Sequence, residues 1–313
     1  MSDYQPVMNR FRSKFISLVR MFARVPSFKP NIVIETGTGR WAIKCYGGYQ
    51  SRNYATIHML IEAFKGLDTS LLERKRKIFV CTDDKLETVA SDETWLSYSC
   101  RSHDNKNILL IPDFIFWYWP EVGVPDYREL TTAMVEAGSE KPHSDEVFWI
   151  GNPLVHASRQ KLLELGRIIP GTKFVDITWE PQSQHENLPS ERAMKTRDNR
   201  FVSLPDHCGY RYLIDVEGRG YSGRLKVLLF SNRPVFLQER PWGEYFFSEL
   251  KPFYHYIPIA SSLDNLEEMI SWARCHEREC EEIAANALAF AKANLTREAA
   301  INTLRRTLVS AFS

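Results

Sequence analysis

The sequence predicts an α/β protein with largely parallel sheets. Short apolar runs with the composition of strands alternate with stretches of helical apolar spacing, and most of the later runs are followed by such a stretch. The length of 313 residues, with 44% hydrophobic and 25% charged content, is ordinary for a globular protein and favours two domains. A polar stretch at 122–145 that lacks the strand pattern predicts a domain boundary near residue 140.

Nine segments are predicted as strands and six as helices. The strands are expected at 31–35, 41–45, 77–82, 107–111, 146–150, 173–177, 212–216, 234–238 and 255–259. Helical spacing is found at 53–64, 158–165, 222–230, 263–273 and 277–292. Thr296 is a candidate N-cap for a last helix, which would lie back across the first domain.

Composition argues against several classes of protein. The 40 basic and 39 acidic residues leave a net charge of +1, so there is no global attraction to nucleic acid. The six cysteines form no C-x-x-C pair, and neither a run of about 18 apolar residues nor a secretory signal is found, so we expect a cytoplasmic protein. The basic amphipathic segment 1–24 is either an ordinary packed helix or a peripheral contact with anionic membrane.

A glycine-rich turn lies between a strand and a helix in the segment "YRYLIDVEGRGYSGRLKVLLF". Gly218, Gly220 and Gly223 have the G-x-G-x-x-G spacing, and Arg224 opens the helix. Backbone N–H groups, a helix N-terminus and a guanidinium together suit a phosphate-bearing ligand. Two alternatives stay open at this point: a tight turn with a solvent-facing arginine, and an NAD-dependent oxidoreductase in which Glu239 would bind the ribose.

The rest of the carboxy-terminal half argues against NAD. The strand before the loop contains Asp215 and Glu217, where a first dinucleotide-binding strand is usually apolar. The segments "LPDHCGYRYLIDVEG", "GRLKVLL", "SNRPVFLQ", "ELKPFYHYIPI", "SSLDNLEEMISWA" and "AANALAFAKANL" then follow in that order. This series resembles glycosyltransferase family 90, closely over 147–295 and more loosely before it.

The resemblance implies a GT-B architecture, in which two Rossmann-like domains face each other across a cleft. It implies an acceptor and catalytic-base domain at 1–140, a nucleotide-sugar-binding domain at 141–295, and a carboxy-terminal helix at 296–313 that packs back on the first domain. The implied activity is inverting, metal-independent transfer of glucose or xylose from a UDP-sugar, without a cofactor.

The resemblance also bears on the acceptor and the compartment. Secretory members of the family have a disulfide from the position of Cys208, but Ser231 stands where we place its partner. A cytosolic, bacterial version is therefore implied. Its acceptor would be a polysaccharide, a lipopolysaccharide precursor or another lipid-linked saccharide, reached from the inner face of the cell membrane.

The resemblance assigns a set of residues to the donor site. Arg224 matches a family arginine that holds the diphosphate, and Arg159 matches a second one if one residue is inserted in "FWIGNPLVHASRQ". Glu244 resembles an acid of the family's nucleotide region and could accept ribose hydroxyls, with Glu239 as its rival. The implied nucleotide-sugar ligands are Gly151, Asn152, Arg159, Gly220, Tyr221, Ser222, Gly223, Arg224 and Glu244.

The same resemblance assigns the catalytic base. Relatives have an aspartate in a short turn after a strand, and in "KIFVCTDDK" its match is Asp83, with Asp84 one residue away and Thr82 in place of the preceding arginine. An adjacent aspartate pair is also common as a turn former or a helix cap. Inverting transfer needs one carboxylate, and no D-x-D motif is present to bind a metal.

One aromatic run has two interpretations. The segment "DFIFWYWP" at 113–120 holds five aromatic residues and follows a predicted strand. Aromatic faces stack on sugar rings, but such a dense run more often fills a core. We expect core packing, with acceptor binding as the alternative.

Overall fold

The computed structural model describes residues 29–87, 89–90, 92–101, 106–178 and 200–313, and these form two five-stranded sheets with helices around them. The α/β prediction is therefore confirmed. The basic amphipathic segment 1–24 and nearly all of the polar stretch 180–200 lie outside the described residues. In the part of the chain described, no helix is long and apolar enough to cross a membrane.

The first sheet is mixed. Strand β1 is antiparallel to both of its neighbours, and Thr38 and Gly39, with φ values of 53° and 70°, close the two-residue hairpin that joins it to β2. The last three strands of the sheet are parallel, and the order is β2-β1-β3-β4-β5. The prediction of largely parallel sheets is thus wrong for the first two strands of this sheet. Its strands are β1 (Ile32–Gly37), β2 (Arg40–Cys45), β3 (Arg76–Cys81), β4 (Thr94–Ser97) and β5 (Ile108–Leu110).

The second sheet is entirely parallel, with the order β10-β9-β8-β6-β7. Most residues of its three central strands are buried, whereas the edge strand at 172–176 has no fully buried residue. The order reverses between β6 and β8, and ligands of open parallel sheets bind at the carboxyl edge beside such a reversal. The strands are β6 (Ser144–Gly151), β7 (Thr172–Asp176), β8 (Tyr210–Asp215), β9 (Val235–Gln238) and β10 (Ile257–Ile259).

Seven α-helices lie in the described residues. Three of them begin at capping side chains: Asp126 accepts from Arg128 N at 2.7 Å, His156 Nδ1 accepts from Ser158 N at 3.2 Å, and Thr296 accepts from Ala299 N at 3.1 Å. The predicted N-cap Thr296 is therefore confirmed. The helices are α1 (Gln50–Phe64), α2 (Tyr127–Ser139), α3 (Ala157–Leu165), α4 (Leu225–Leu228), α5 (Leu266–Cys275), α6 (Glu277–Asn294) and α7 (Arg297–Phe312).

Three elements differ from the prediction. Strand β4 was not predicted, because four residues are too few to show a period. Helix α2 occupies the stretch at 122–145 that was interpreted only as a boundary region, and it ends just before residue 140. Helix α4 has four residues rather than the nine expected at 222–230, because i→i−3 bonds close turns on both sides of it, from Leu225 N to Ser222 O and from Phe230 N to Val227 O.

The last helix packs against the first sheet and helix α1. Arg305 Nε donates to Ala63 O of α1 at 3.2 Å, and Arg76 of β3 donates to Ser313 O at 2.9 Å. Arg297, at the start of α7, donates to Phe116 O and pairs with the Asp126 carboxylate at 2.8 Å. Apolar contacts are continuous from the first sheet to the second.

Candidate active site

The candidate site lies at the carboxyl edge of the second sheet, beside the reversal between β6 and β8. The loop after β6 begins at Gly151 and Asn152, and the loop after β8 contains the three glycines and leads to Arg224. Asn152 caps a short turn by accepting from Leu154 N at 2.9 Å. The sequence therefore places most of the predicted donor residues at one edge of one sheet.

Asp215, at the end of β8, is the centre of the charged cluster at this edge. Its side chain is completely buried. Oδ1 accepts the Ser222 hydroxyl at 2.6 Å, and Oδ2 pairs with Arg240 Nη1 at 2.8 Å. Arg224 approaches less closely, since its Nε lies 3.9 Å from Oδ1. Both carboxylate oxygens are thus bonded more closely to other groups than to Arg224. The Ser222 hydroxyl is engaged by Asp215, so it does not point towards a ligand in the loop as predicted.

Arg224 is held mainly by the backbone. Its Nη1 donates to Ile150 O at 2.5 Å, and its guanidinium lies 5.8 Å from the Trp149 ring. Nε is buried and has no hydrogen-bond partner among the described residues. Burial lowers the pKa of Arg224, with the Asp215 carboxylate acting in the opposite direction. An anion in the loop would satisfy a donor that the protein leaves unpaired.

A second arginine lies beside it. Arg159, on α3, donates from Nε to Glu217 O at 3.0 Å and from Nη1 to Asn152 O at 3.3 Å. Burial, together with the positive charge of Arg224, lowers the pKa of Arg159 to about 10. Two guanidiniums that repel each other and bond mostly to carbonyl oxygens form a site suited to a diphosphate.

Two glycines of the loop are required by close approach to the first half of the chain. A Cβ on Gly220 would lie 2.3 Å from Asp84 O, and one on Gly223 would lie 2.4 Å from Ile115 Cδ1. Any larger residue at either position would push the loop away from the turn after β3 and from the segment after β5. The loop of the second sheet is therefore in direct contact with the turn that contains the two aspartates.

A buried ion-pair network joins the two halves below this contact. Lys226 Nζ lies 2.6 Å from Glu244 Oε1 and 3.0 Å from Asp113 Oδ2, and it stands 5.3 Å from the centre of the buried Tyr221 ring. Burial raises the pKa of Glu244 to about 7, although Lys226 opposes the shift. Glu244 is thus engaged within the protein, and its ribose contact stays a prediction. Its rival Glu239 is exposed.

The two aspartates after β3 differ in their surroundings. Asp84 Oδ1 pairs with Arg52 Nη1 at 2.8 Å, and the Arg52 guanidinium is further held 4.6 Å from the Tyr49 ring. Asp83 is half-buried, and no ion pair or side-chain hydrogen bond engages its carboxylate among the described residues. Thr82 anchors the turn, donating to the Asn53 side chain at 2.6 Å. Asp83 is therefore the carboxylate of this turn that is available to accept a proton.

The aromatic run after β5 is mostly core, as expected. Phe114 and Phe116 are buried, whereas Trp117 and Tyr118 are half-buried. The partly open edge continues onto α1, where the Tyr54 ring lies 5.9 Å from the Tyr118 ring. The acceptor-binding alternative is thus confined to this edge.

Arg240, Lys226 and Arg52 are charged residues of the site that were not predicted from the sequence. A signal for Arg240 was present, because it follows the end of a strand in a parallel sheet and therefore lies at the same edge as Asp215. Asp215 is a carboxylate at the buried end of β8, and a buried carboxylate needs a cation as its partner. No comparable signal existed for Lys226 or Arg52, whose partners lie far away in sequence.

Comparison with known proteins decides the family. The model of the family described as "Glycosyl transferase family 90" matches residues 79–308. The chain belongs to glycosyltransferase family 90. The matched residues include the turn after β3, the glycine loop and the whole second sheet, whereas the site residues of α1, among them Arg52, lie before the matched range.

Among family 90 relatives, protein O-glucosyltransferase 1 of Homo sapiens is 35% identical over 196 residues, which is 60% of this chain and 49% of the human protein. The protein of the same name from Mus musculus is 37% identical over 185 residues, 56% of this chain and 46% of the mouse protein. This family 90 chain thus spans about half the length of these relatives. A structure of Anabaena HepE in complex with UDP-glucose covers 66% of this chain and 58% of its own, with 12% identity and a TM-score of 0.40, which is too distant to define the architecture.

Proposed function

We propose that this chain is an inverting, metal-independent glycosyltransferase that moves glucose or xylose from a UDP-sugar to a hydroxyl of a polysaccharide, lipopolysaccharide or other glycan acceptor. One observation supports it most directly. A family 90 glycine loop, which leads into Arg224, packs at Gly220 against the backbone of Asp84, in the same turn as Asp83. Among the described residues, Arg224 Nε has no hydrogen-bond partner and the Asp83 carboxylate has no ion pair. The loop with the cation proposed for the leaving group therefore contacts the turn with the base proposed for the acceptor.

The residues divide the reaction between them. Asp83 accepts the proton of the acceptor hydroxyl as that oxygen attacks the anomeric carbon. The bond between the anomeric carbon and the UDP oxygen breaks at the same time, and the negative charge that develops on the diphosphate is stabilised by Arg224 and Arg159. Attack opposite the leaving group inverts the configuration at the anomeric carbon.

Metal independence rests on the same cations. The sequence has no D-x-D motif, and the two arginines lie where a divalent cation would otherwise neutralise the diphosphate. We propose that no cofactor is used and that the UDP-sugar is the donor substrate. Glucose is supported by the names of the two protein O-glucosyltransferases.

We extend the proposal to architecture and location. The two sheets and their contact at the glycine loop support a GT-B arrangement with domains at 1–140 and 141–295, followed by the helix at 296–313. The acceptor would reach Asp83 beside the exposed rings of Tyr49 and Tyr54. A cytoplasmic enzyme, in peripheral contact with anionic membrane through residues 1–24, completes the proposal.

Membership of glycosyltransferase family 90 argues against the alternative function, an NAD-dependent oxidoreductase. The loop spacing of Gly218, Gly220 and Gly223 was its main support, and two of these glycines are explained by close packing on Asp84 and Ile115. The family membership leaves no separate observation in its favour.

A thermal-shift panel tests the proposal. UDP and UDP-glucose should raise the melting temperature of the full chain in the presence of a chelator, because a ligand that binds only the native state stabilises it by mass action. NAD and NADP at the same concentration are the matched controls and should produce no shift. A shift with NAD alone, or one from UDP that disappears with chelator, would contradict the proposed donor site.

A further inference from the structure

Arg240 is a completely buried arginine just beyond the end of β9. Its guanidinium lies 5.2 Å from the centre of the Phe247 ring. Nη1 pairs with Asp215, but Nε and Nη2 have no hydrogen-bond partner among the described residues. A buried guanidinium with two unpaired donor atoms is costly, so fold stability alone explains its presence poorly.

The position of Arg240 determines which oxygen of the Asp215 carboxylate Arg224 can reach. Asp215 has two carboxylate oxygens, and Arg240 occupies Oδ2 while Ser222 occupies Oδ1. Arg224 is left with a long ion pair, its Nε 3.9 Å from Oδ1, and no described residue forms a hydrogen bond with that Nε. Without a cation on Oδ2, the nearest replacement would be Arg224, and a close arginine–aspartate pair in a buried site is strong. A diphosphate would then have to break that pair before it could bind.

We infer that Arg240 is a positioning residue of the donor site: by holding the Asp215 carboxylate, it keeps Arg224 free to bind the diphosphate of the UDP-sugar. This inference rests on the proposed function, since it assumes that the ligand of Arg224 is a nucleoside diphosphate. On this inference Arg240 acts through Asp215, a buried carboxylate that competes with the ligand for Arg224.

A double-mutant cycle tests the inference, with UDP as the probe and calorimetry on the full chain as the measurement. Arg240→Met should weaken UDP binding about tenfold, because Arg224 closes onto Asp215. Adding Asp215→Asn to Arg240→Met should restore the affinity to within about threefold of wild type, because the competing charge is gone. A structural role for Arg240 would instead lower stability in both variants without this recovery.

Two further variants keep the test decisive if Arg240→Met does not fold. Arg240→Lys retains a cation for Oδ2 and should keep UDP affinity close to wild type, whereas Asp215→Asn alone should bind UDP at least as tightly as wild type. Arg233→Met is the matched control, since Arg233 is also buried in this half but donates to the backbone oxygens of Cys208, Gly138 and Glu140. It should leave UDP affinity unchanged.

The outcomes separate the inference from the proposed function. A wild-type chain that binds no UDP would overturn both. Wild-type affinity in Arg240→Met, no recovery in the double variant, or a tenfold loss in Asp215→Asn alone would overturn the role of Arg240 and leave the UDP site in place.

Discussion

Two arginine–aspartate pairs lie just beyond the ends of strands, one in each sheet, and they differ in the charged group that stands beside them. After β3, Arg52 pairs with Asp84 in a partly exposed position, and no ion pair engages the neighbouring Asp83 carboxylate among the described residues. After β8, Arg240 pairs with Asp215 in a completely buried position, and Arg224 Nε, 3.9 Å from Asp215 Oδ1, has no hydrogen-bond partner in the part of the chain described. Under the proposed function, Asp83 would be the base beside the first pair and Arg224 the cation beside the second.

The burial of the two pairs differs as well. The side chains of Arg52 and Asp84 are 17% and 27% exposed, so water screens their attraction in part. Asp215 is shielded from water, so its attraction for a second arginine is stronger. The choice of cation therefore matters more at Asp215 than at Asp84.

The largest expected effect comes from removing the ion pair that joins the two sides. Lys226→Met leaves the buried carboxylates of Asp113 and Glu244 without their cation and should lower the free energy of unfolding by about 3–5 kcal/mol, measured by denaturant titration. Lys161→Met is the matched control, because the pair of Lys161 with Asp264 is exposed, and it should cost under about 1 kcal/mol. An equal loss of unfolding free energy in the two variants would mean that the buried ion pair between the two halves stabilises the fold no more than an exposed pair does.

The next prediction concerns Asp83, the proposed catalytic base. Asp83→Asn keeps the shape of the side chain but cannot accept the hydroxyl proton, so turnover of UDP-glucose should fall about a hundredfold or more while UDP affinity stays near wild type. Asp84→Asn should retain most of the activity, because Asp84 is engaged by Arg52. If the two variants exchange phenotypes, the base is Asp84; wild-type rates in both would exclude this turn.

Substitution of Arg224, the proposed diphosphate-binding cation, should give a smaller effect, which is on UDP binding. Arg224→Ala removes a charge-assisted contact of about 1.5–3 kcal/mol, so UDP should bind roughly tenfold to a hundredfold more weakly in calorimetry. Arg233→Ala, a buried arginine away from the edge of the sheet, is the control and should keep wild-type affinity. Unchanged affinity in Arg224→Ala would show that the loop holds a different ligand.

The smallest effect is a pH dependence on the buried side. Burial raises the pKa of Glu244 from 4.5 to about 7, so between these values the folded state binds more protons than the unfolded state. Stability contributed by this group is therefore present below about pH 4.5 and is lost as the pH rises to about 7, by about 1–3 kcal/mol. Glu244→Gln should remove that part of the slope in denaturant titrations at pH 5 and pH 7. If stability falls as steeply with pH in Glu244→Gln as in the wild type, the ionising group is a residue other than Glu244.

Much of the fold could be predicted from local patterns. All nine predicted strands are present, because apolar runs of four to six residues between turns are distinctive, and the Thr296 cap was visible from one side chain and the helix after it. The antiparallel pairing of β1 was not predicted, since Thr38 and Gly39 do not form one of the strongest hairpin signals. Helix α2 was overlooked because its polar face resembled a linker.

The sequence by itself determined the α/β class, the glycine loop with Arg224, and the resemblance to family 90, because each depends on residues close together or in a fixed order along the chain. Only the tertiary structure decided which charges are paired and which are free. Arg52 and Asp84 are 32 residues apart, Asp215 and Arg240 are 25 apart, and Asp113 and Lys226 are 113 apart. The pairing of buried charges follows distance and burial in the folded molecule, and neither can be read from spacing along the chain.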